Sequence, residues 1–501
     1  MSRPDPPLSR LPAPQPQRGE GRLRPEERIS QLPEDAQTSP GLINMLSKLV
    51  GQMFAPRLPH LTEMPTAAVG LRPFVVLLAA LEGDVGNDSR ASLIQALAGR
   101  AGIITKSLST PVTLQEPATS ITLAMALVKA RQVLASEHAD LVVWGGMVAE
   151  GMRIYFTPGS GDESRPTGFA LASRMELPRL LDPTMADLFH SVVVSSLEAT
   201  TPAQREMISQ LVPAAAGVLD VVTKRLPSGL TPRQQASLMI ACGHIAWATG
   251  VVSGQLDWLE KADAAYQAAQ RRLLAKDKIP TDDAMLLRHR AGVLMAKAEK
   301  LATEKAWDEA IAAYRDSITA LPRVSFPTEW ANEQNRLGLA LYRYDLKMAR
   351  TDLLAEAIDA FRAALQIYTY AEHPRRWAEI MHNLAQALQV YGDQSKDVGM
   401  LNRTIEACRA ILQVRTRETD PLGWSSTMNT LGTCLFLRDK HAGKSEGLEE
   451  AGNALRAAAD TWRICGAVKM AAVAEKNLGH IQRLITQREA KRPTYRPPER
   501  G

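Results

Sequence analysis

The sequence predicts a mostly helical protein, in which a small α/β domain precedes an α-solenoid of stacked helix pairs and both termini are disordered. Three observations carry this prediction. Alanine and leucine abound while aromatic residues make up only 5%, and such side chains lose little rotamer freedom in a helix. Between about residues 71 and 180, apolar runs closed by turn residues alternate with helical periodicity. Farther on, Trp330, Trp377 and Trp424 recur at one step, since 377−330 and 424−377 are both 47.

Length and composition set the outer limits. A chain of 501 residues with 45% hydrophobic content can bury a large core in two or three domains plus tails. Its formal net charge of +5 is modest and several basic residues fall in the tails, so no nucleic-acid partner is expected. Cys242, Cys408, Cys434 and Cys465 lack metal-ligand spacing and fall in helical stretches, which makes them reduced packing residues. No apolar run approaches the ~20 residues of a membrane span, and the opening residues lack a signal-peptide core. A cytoplasmic location follows as the expectation.

The elements follow in chain order. Residues 1–40 hold nine prolines and six arginines and read as a disordered arm. Residues 41–70 form a short helix and linker. Leu42, Ile43, Leu46, Leu49, Val50 and Met53 repeat at helical spacing there, with Lys48 as the charge on the polar face, so the helix is expected to dock on the body of the protein or on a membrane surface. The α/β domain occupies residues 71–180. A continuous apolar run at residues 74–81 reads as a strand covered on both faces and ends at Glu82-Gly83-Asp84. A helix at about 89–97, a short strand near 103–106 and a helix at about 120–136 follow. Runs at 141–144 and 152–156 flank Glu150-Gly151 as a hairpin. A strand near residues 169–175 and a helix beginning at Met185 complete the pattern. Residues 181–230 are expected to be connecting helices, 231–488 the repeat array, and 489–501 a basic disordered tail.

Residues 74–82 and 139–156, the latter containing Asp-Leu-Val-Val-Trp-Gly, resemble the amino-terminal domain of TolB-like and FlgO-like bacterial proteins. The resemblance covers roughly 110 residues and implies a non-catalytic module often joined to tetratricopeptide arrays.

In the array, Leu337, Leu384, Leu431 and Leu478 keep the 47-residue step and are followed by Gly338, Ala385, Gly432 and Gly479. A small residue at that position lets a second helix pack close. That second helix carries Ala357, Phe361 and Ala364, or Ala310, Tyr314 and Ser317, at helical spacing. These residues resemble the tetratricopeptide signature, whose repeat is 34 residues; the additional 13 (47−34) lengthen helices or loops. Gly292 and Gly243, with Ala262, Tyr266 and Ala269, extend the pattern toward the amino end. Five pairs are counted from about residue 233 to 460, and a last helix near 471–488 suits a solvent-facing cap. Thr404, Cys408 and Leu455 depart from the signature.

The resemblance implies a groove lined by first-helix positions, here Asn335, His382, Asn429 and Lys476 and, farther along, Tyr342, Gln389, Phe436 and Arg483. Amides and cations there would hold the backbone or carboxylate of an extended peptide, and rings would take apolar side chains. Their plain structural role is that of solvated groove walls.

Other chemistry fits less well. Ala442-Gly443-Lys444-Ser445 imitates a phosphate loop, but Arg438 stands where its first glycine belongs. Gly159-Ser160-Gly161 lacks the nucleophile-elbow pattern. Glu82 and Asp84 follow a buried strand, where ligands bind in α/β folds, yet such a turn is more often solvated. The histidines, His244 and His382 included, lack zinc spacing. No catalytic, cofactor or metal site is therefore expected. The leading reading is a scaffold or adaptor for a protein or peptide partner, with a homo-oligomer allowed for. A sensor subunit binding a small ligand at the acidic turn is the alternative, and an enzyme using that turn the third.

Overall fold

The computed structural model describes residues 72–115, 120–158, 174–199, 201–273, 280–348 and 352–490. The amino-terminal arm, the helix expected at 41–70, the Gly159-Ser160-Gly161 turn, most of the strand expected near 169–175 and the tail from 491 onward lie outside them. Two compact units divide the chain between Glu333 and Gln334, and each is taken by itself.

In the first unit, five strands make one sheet in the order β2-β1-β3-β4-β5. They are β1 (Phe74–Ala80), β2 (Ile103–Pro111), β3 (Leu141–Val148), β4 (Gly151–Pro158) and β5 (Arg174–Leu177). β1 pairs in parallel with β2 and β3, and β3-β4-β5 run antiparallel. Helices α1 (Asp88–Leu97) and α2 (Ser120–Ser136) make the crossovers, and α3 (Pro183–Ser196), α4 (Pro202–Ala215) and α5 (Leu219–Val222) follow the sheet.

The unbroken apolar run of β1 has a direct cause. Successive side chains of a strand point to opposite faces. Phe74, Val76 and Leu78 enter one core with α1 and α3, while Leu77 and Ala79 enter another beneath Ala126, Ala130 and Leu134 of α2. In the second core Trp144 stacks on Tyr155 at 4.5 Å and donates from Nε1 to Thr157 at 2.9 Å. Gly145 beside it is obligatory, because a Cβ there would lie 1.9 Å from the Arg153 carbonyl oxygen.

Helix pairs follow. α6 (Pro232–Ser253) pairs with α7 (Leu256–Arg272), and α8 (Pro280–Leu301) with α9 (Glu304–Ala320). The first core runs on from the sheet into this array, through Leu238, Trp247, Tyr266 and Val293. α6 corrects one expectation, since its length and composition would suffice to cross a membrane. However, 72% of its most apolar window is buried inside the unit, which accounts for apolar residues on all its faces.

The second unit begins inside α10 (Pro327–Met348). It continues with α11 (Leu354–Leu365), α12 (Pro374–Gln394), α13 (Val398–Ile411), α14 (Pro421–Ala442), α15 (Leu448–Ile464) and α16 (Val468–Ala490). α12/α13 and α14/α15 are antiparallel-type neighbours with short loops, and α12 also packs on α14. These are helix pairs repeated in series. First helices start at Pro280, Pro327, Pro374, Pro421 and Val468, each 47 after the last, and the four prolines are pre-set for the first helical turn. The marker tryptophans brace this entry. Arg323 lies over Trp330 at 4.3 Å, Tyr370 meets Trp377 edge-on at 5.0 Å, and Arg417 lies over Trp424 at 5.8 Å. In each case the partner stands seven residues earlier, in the loop that delivers the helix.

Within a pair the small residue of the first helix receives a large one from the second. A Cβ at Gly243 would lie 2.4 Å from Tyr266, one at Gly338 2.7 Å from Phe361, and one at Gly432 2.9 Å from Leu455. Where the first helix carries Ala385, the second carries the smaller Cys408, buried like the others. The departures Cys408 and Leu455 are thus volume-compensating at the level of packing. Gly292 differs, because a Cβ there meets Trp247 of the preceding first helix at 2.4 Å.

Candidate functional site

The first helices of the second unit carry the groove positions, and their surroundings set what those residues can do. α12 is buried at every position from 380 to 390. Its neighbours explain most of that: α11 and α13 lie in the second layer, α14 flanks it, and Asn383 Nδ2 donates to Asn335 Oδ1 of α10 at 3.0 Å. On the other flank His382 Nδ1 meets Thr427 Oγ1 of α14 at 3.4 Å. Burial, and secondarily Arg415, pushes the His382 pKa down to about 3, so the ring is neutral.

Asn335, Tyr342, His382, Gln389 and Asn429 are all buried here, at 3–6% exposure. Phe436 is half-buried, and Lys476 and Arg483 are exposed on α16. The Tyr342 hydroxyl is raised above its usual range by burial and then by Asp345. The sequence reading treated the whole series as open wall; the helices bring the amides inside and leave the cations out.

Hydroxyl and amide groups fare differently along this wall. Thr427, Thr430 and Thr433 donate to carbonyls four residues back in their own helix, at 2.9, 3.1 and 2.8 Å. The amides lack such an outlet. Gln386 Oε1, Asn429 Oδ1 and both amide atoms of Asn477 are buried without a hydrogen-bond partner among the described residues. Gln386 stands four residues after His382 and three after Asn383, so it points between those two flanks, to the inner side. Gln386, Asn383 and Asn477 were absent from the sequence-derived set. Repeat counting pairs Asn335 with His382, whereas the residue that bonds to it is Asn383, one position on.

The α12 and α14 stretches of the wall are also uncharged. Residues 380–392 of α12 and 421–437 of α14 contain no Asp, Glu, Lys or Arg. Charge returns at Asp393, which holds His441 at 2.8 Å, and at Arg438 and Asp439 near the end of α14.

Other sequence candidates have structural occupations. Gly443 ends α14 at φ 69°, a left-handed cap that favours glycine, and Arg488 bonds the Lys444 and Asp439 carbonyls around it. The Ala442–Ser445 stretch is therefore a helix exit. Asp84 Oδ2 accepts from the Arg90 amide at 3.0 Å and caps the start of α1, while Glu82 bridges to Gly146 beside β3. His244 bonds the Tyr266 hydroxyl at 2.8 Å, and burial lowers its pKa to about 3. Three cysteines are buried thiols, and burial raises Cys408 to about 12. Cys465 corrects the packing expectation, since it falls just past the end of α15 and is exposed.

No family model matches this chain, and no curated protein matches it. Among solved structures it is similar to the crystal structure of a Rap protein complexed with competence and sporulation factor. The identity is 13% and the TM-score 0.26, covering 60% of this chain and 77% of that one. An overlap of that size carries no conclusion about this chain's function.

Proposed function

We propose that the chain is a non-catalytic scaffold or adaptor that holds a protein or peptide partner along the inner wall of α10, α12, α14 and α16. The α/β domain, with its TolB-like sequence pattern, would serve as a second interaction module. One observation carries the reading: successive first helices keep buried amides without partners at Gln386, Asn429 and Asn477. Leaving a buried polar group unpaired costs about 1–3 kcal/mol, and sequences retain such groups where they have another use.

A carboxamide offers two donors and an acceptor with two lone pairs, matching the N–H and C=O of another chain's backbone. The threonines are already satisfied, so the amides are the groups free to engage. Tyr342 and Phe436 would take apolar side chains, and Lys476 and Arg483 would add attraction at the α16 end. Two surfaces on one chain would raise avidity without tighter individual contacts.

The test is capture of partners from cell lysate by the full chain and by its Gln386→Arg and Asn429→Arg variants. A specific protein retained by the unaltered chain and lost from both folded variants is expected. Equal recovery by all three, or none by any, would sink the reading.

A further inference from the structure

α2 is apolar on both of its faces. Ala126, Ala130 and Leu134 enter the second core, to which no other described helix contributes. Ile121, Met125 and Val128 recur at i, i+4 and i+7 on the opposite side, where they are 71%, 59% and 52% exposed. Elsewhere among the described helices a large exposed apolar side chain stands singly, in a first or last turn, as Leu422 and Ile464 do. Three in one line form an apolar ridge whose contact with water is unfavourable.

The charges beside this ridge select what covers it. Residues 120–136 contain no Asp or Glu, and their two cations are Lys129 and Arg131. Lys129 stands about 100° round the helix from Val128 on one shoulder, and Arg131 about 60° round on the other. The edge strand β2 repeats both properties, since Ile104 is 47% exposed and Lys106 is exposed. Both alternate to the side of Leu108, which packs against the same core. A second copy suits this surface badly, because a two-fold contact sets the cations against themselves. A partner helix lies in a groove, whereas α2 stands alone among the described helices on that core.

We propose that α2 seats the α/β domain on an anionic membrane surface. Ile121, Met125 and Val128 enter the boundary between headgroups and acyl chains, and Lys129 and Arg131 reach lipid phosphates on either side. Long basic side chains keep their heads in the polar layer while their stems lie along apolar surface, which holds the helix flat on the bilayer. Lys106 adds a third cation. With its other face packed in the domain, α2 lies on the bilayer and does not cross it. The inference rests on reading the α/β domain as an interaction module, names that module's partner, and leaves the helical groove to the adaptor role.

Co-sedimentation of the full chain with vesicles of phosphatidylglycerol and phosphatidylcholine in equal parts tests this. Binding is expected there, and ~10-fold or more weaker binding to phosphatidylcholine alone. Met125→Glu with Val128→Glu, at positions already open to water, should weaken it ~10-fold or more with the urea midpoint kept. Lys129→Glu leaves the ridge whole and should weaken it ~5-fold or more, which covers the case in which the double variant misfolds. A polarity-sensitive fluorophore on Val128→Cys, in a Cys465→Ser background, should shift to the blue on the mixed vesicles. Absent binding to mixed vesicles, equal binding to phosphatidylcholine alone, or full binding by the folded double variant would each overturn the proposal. So would an unshifted fluorophore on vesicle-bound chain, or a dimer in ultracentrifugation that the double variant abolishes. A lysate protein captured by the unaltered chain and lost from the double variant, without vesicle binding, would keep the module reading and overturn this one.

Discussion

Two regions of the helix pairs follow opposite rules. The seam inside three of the pairs is closely packed, with glycine against Tyr266, Phe361 or Leu455. The inner wall of the first helices is polar and incompletely satisfied, with amides buried beside neutral His382. The seam holds the fold together by close contact, where each lost atom is felt. The wall leaves polar atoms unpaired, which costs stability.

The largest test of this contrast is Phe361→Ala. It empties the seam of a fully buried ring and should cost about 3–5 kcal/mol in urea unfolding. Gly338→Ala attacks the same contact from the other side, placing a Cβ 2.7 Å from that ring, and should cost about 1–3 kcal/mol. A neutral outcome for either would break the claim that the seam is tightly matched.

Acid titration sharpens the wall's side of the comparison. An unfolded imidazole titrates near 6.5, while His382 folded titrates at about 3, so below pH 6.5 the unfolded chain binds the additional proton. Stability should therefore fall as pH drops from 6.5 toward 3, by about 1.4 kcal/mol per pH unit for that group. Denaturant midpoints between pH 7 and pH 4 should lose one proton's worth of slope in His382→Gln.

The smallest effects run in the stabilising direction. Asn429→Leu replaces an amide whose Oδ1 has no partner among the described residues with an apolar side chain of the same branching and should be neutral or stabilising by about 1 kcal/mol, while abolishing partner capture. A loss above that size would mean the amide is an ordinary structural rung. Gly479→Ala, with nothing within 4 Å of its Cβ, should gain about 0.5–1 kcal/mol by helix propensity.

Legibility divides along the same line. Seam residues recur at 47 because each must occupy one angular position on its helix, so Gly338, Gly432 and Phe361 show in the sequence itself. Even Cys408 is readable afterwards as the smaller mate of Ala385. The wall is harder, because a hydrogen bond between adjacent first helices depends on their relative slide. Asn335 therefore meets Asn383 and not its repeat equivalent. Polar residues at helical spacing also look alike whether solvated or enclosed, so the burial of Asn429 and Gln389 awaited the neighbouring helices. In the α/β domain, turn chemistry fixed the hairpin between Val148 and Gly151, but β2 runs to Pro111 because an exposed edge carries little apolar signal.

In α16, the last described helix, a Cβ at Gly479 would meet no described residue within 4 Å, and the helix borders a cavity of about 390 Å³ lined by Leu448, Gly452, Leu478 and Ile485. Nothing in its geometry says stop. An appended helix bearing a leucine or phenylalanine opposite Gly479 would find a ready-made berth, so the number of repeats is a modular quantity that insertion or duplication can change without redesigning what came before.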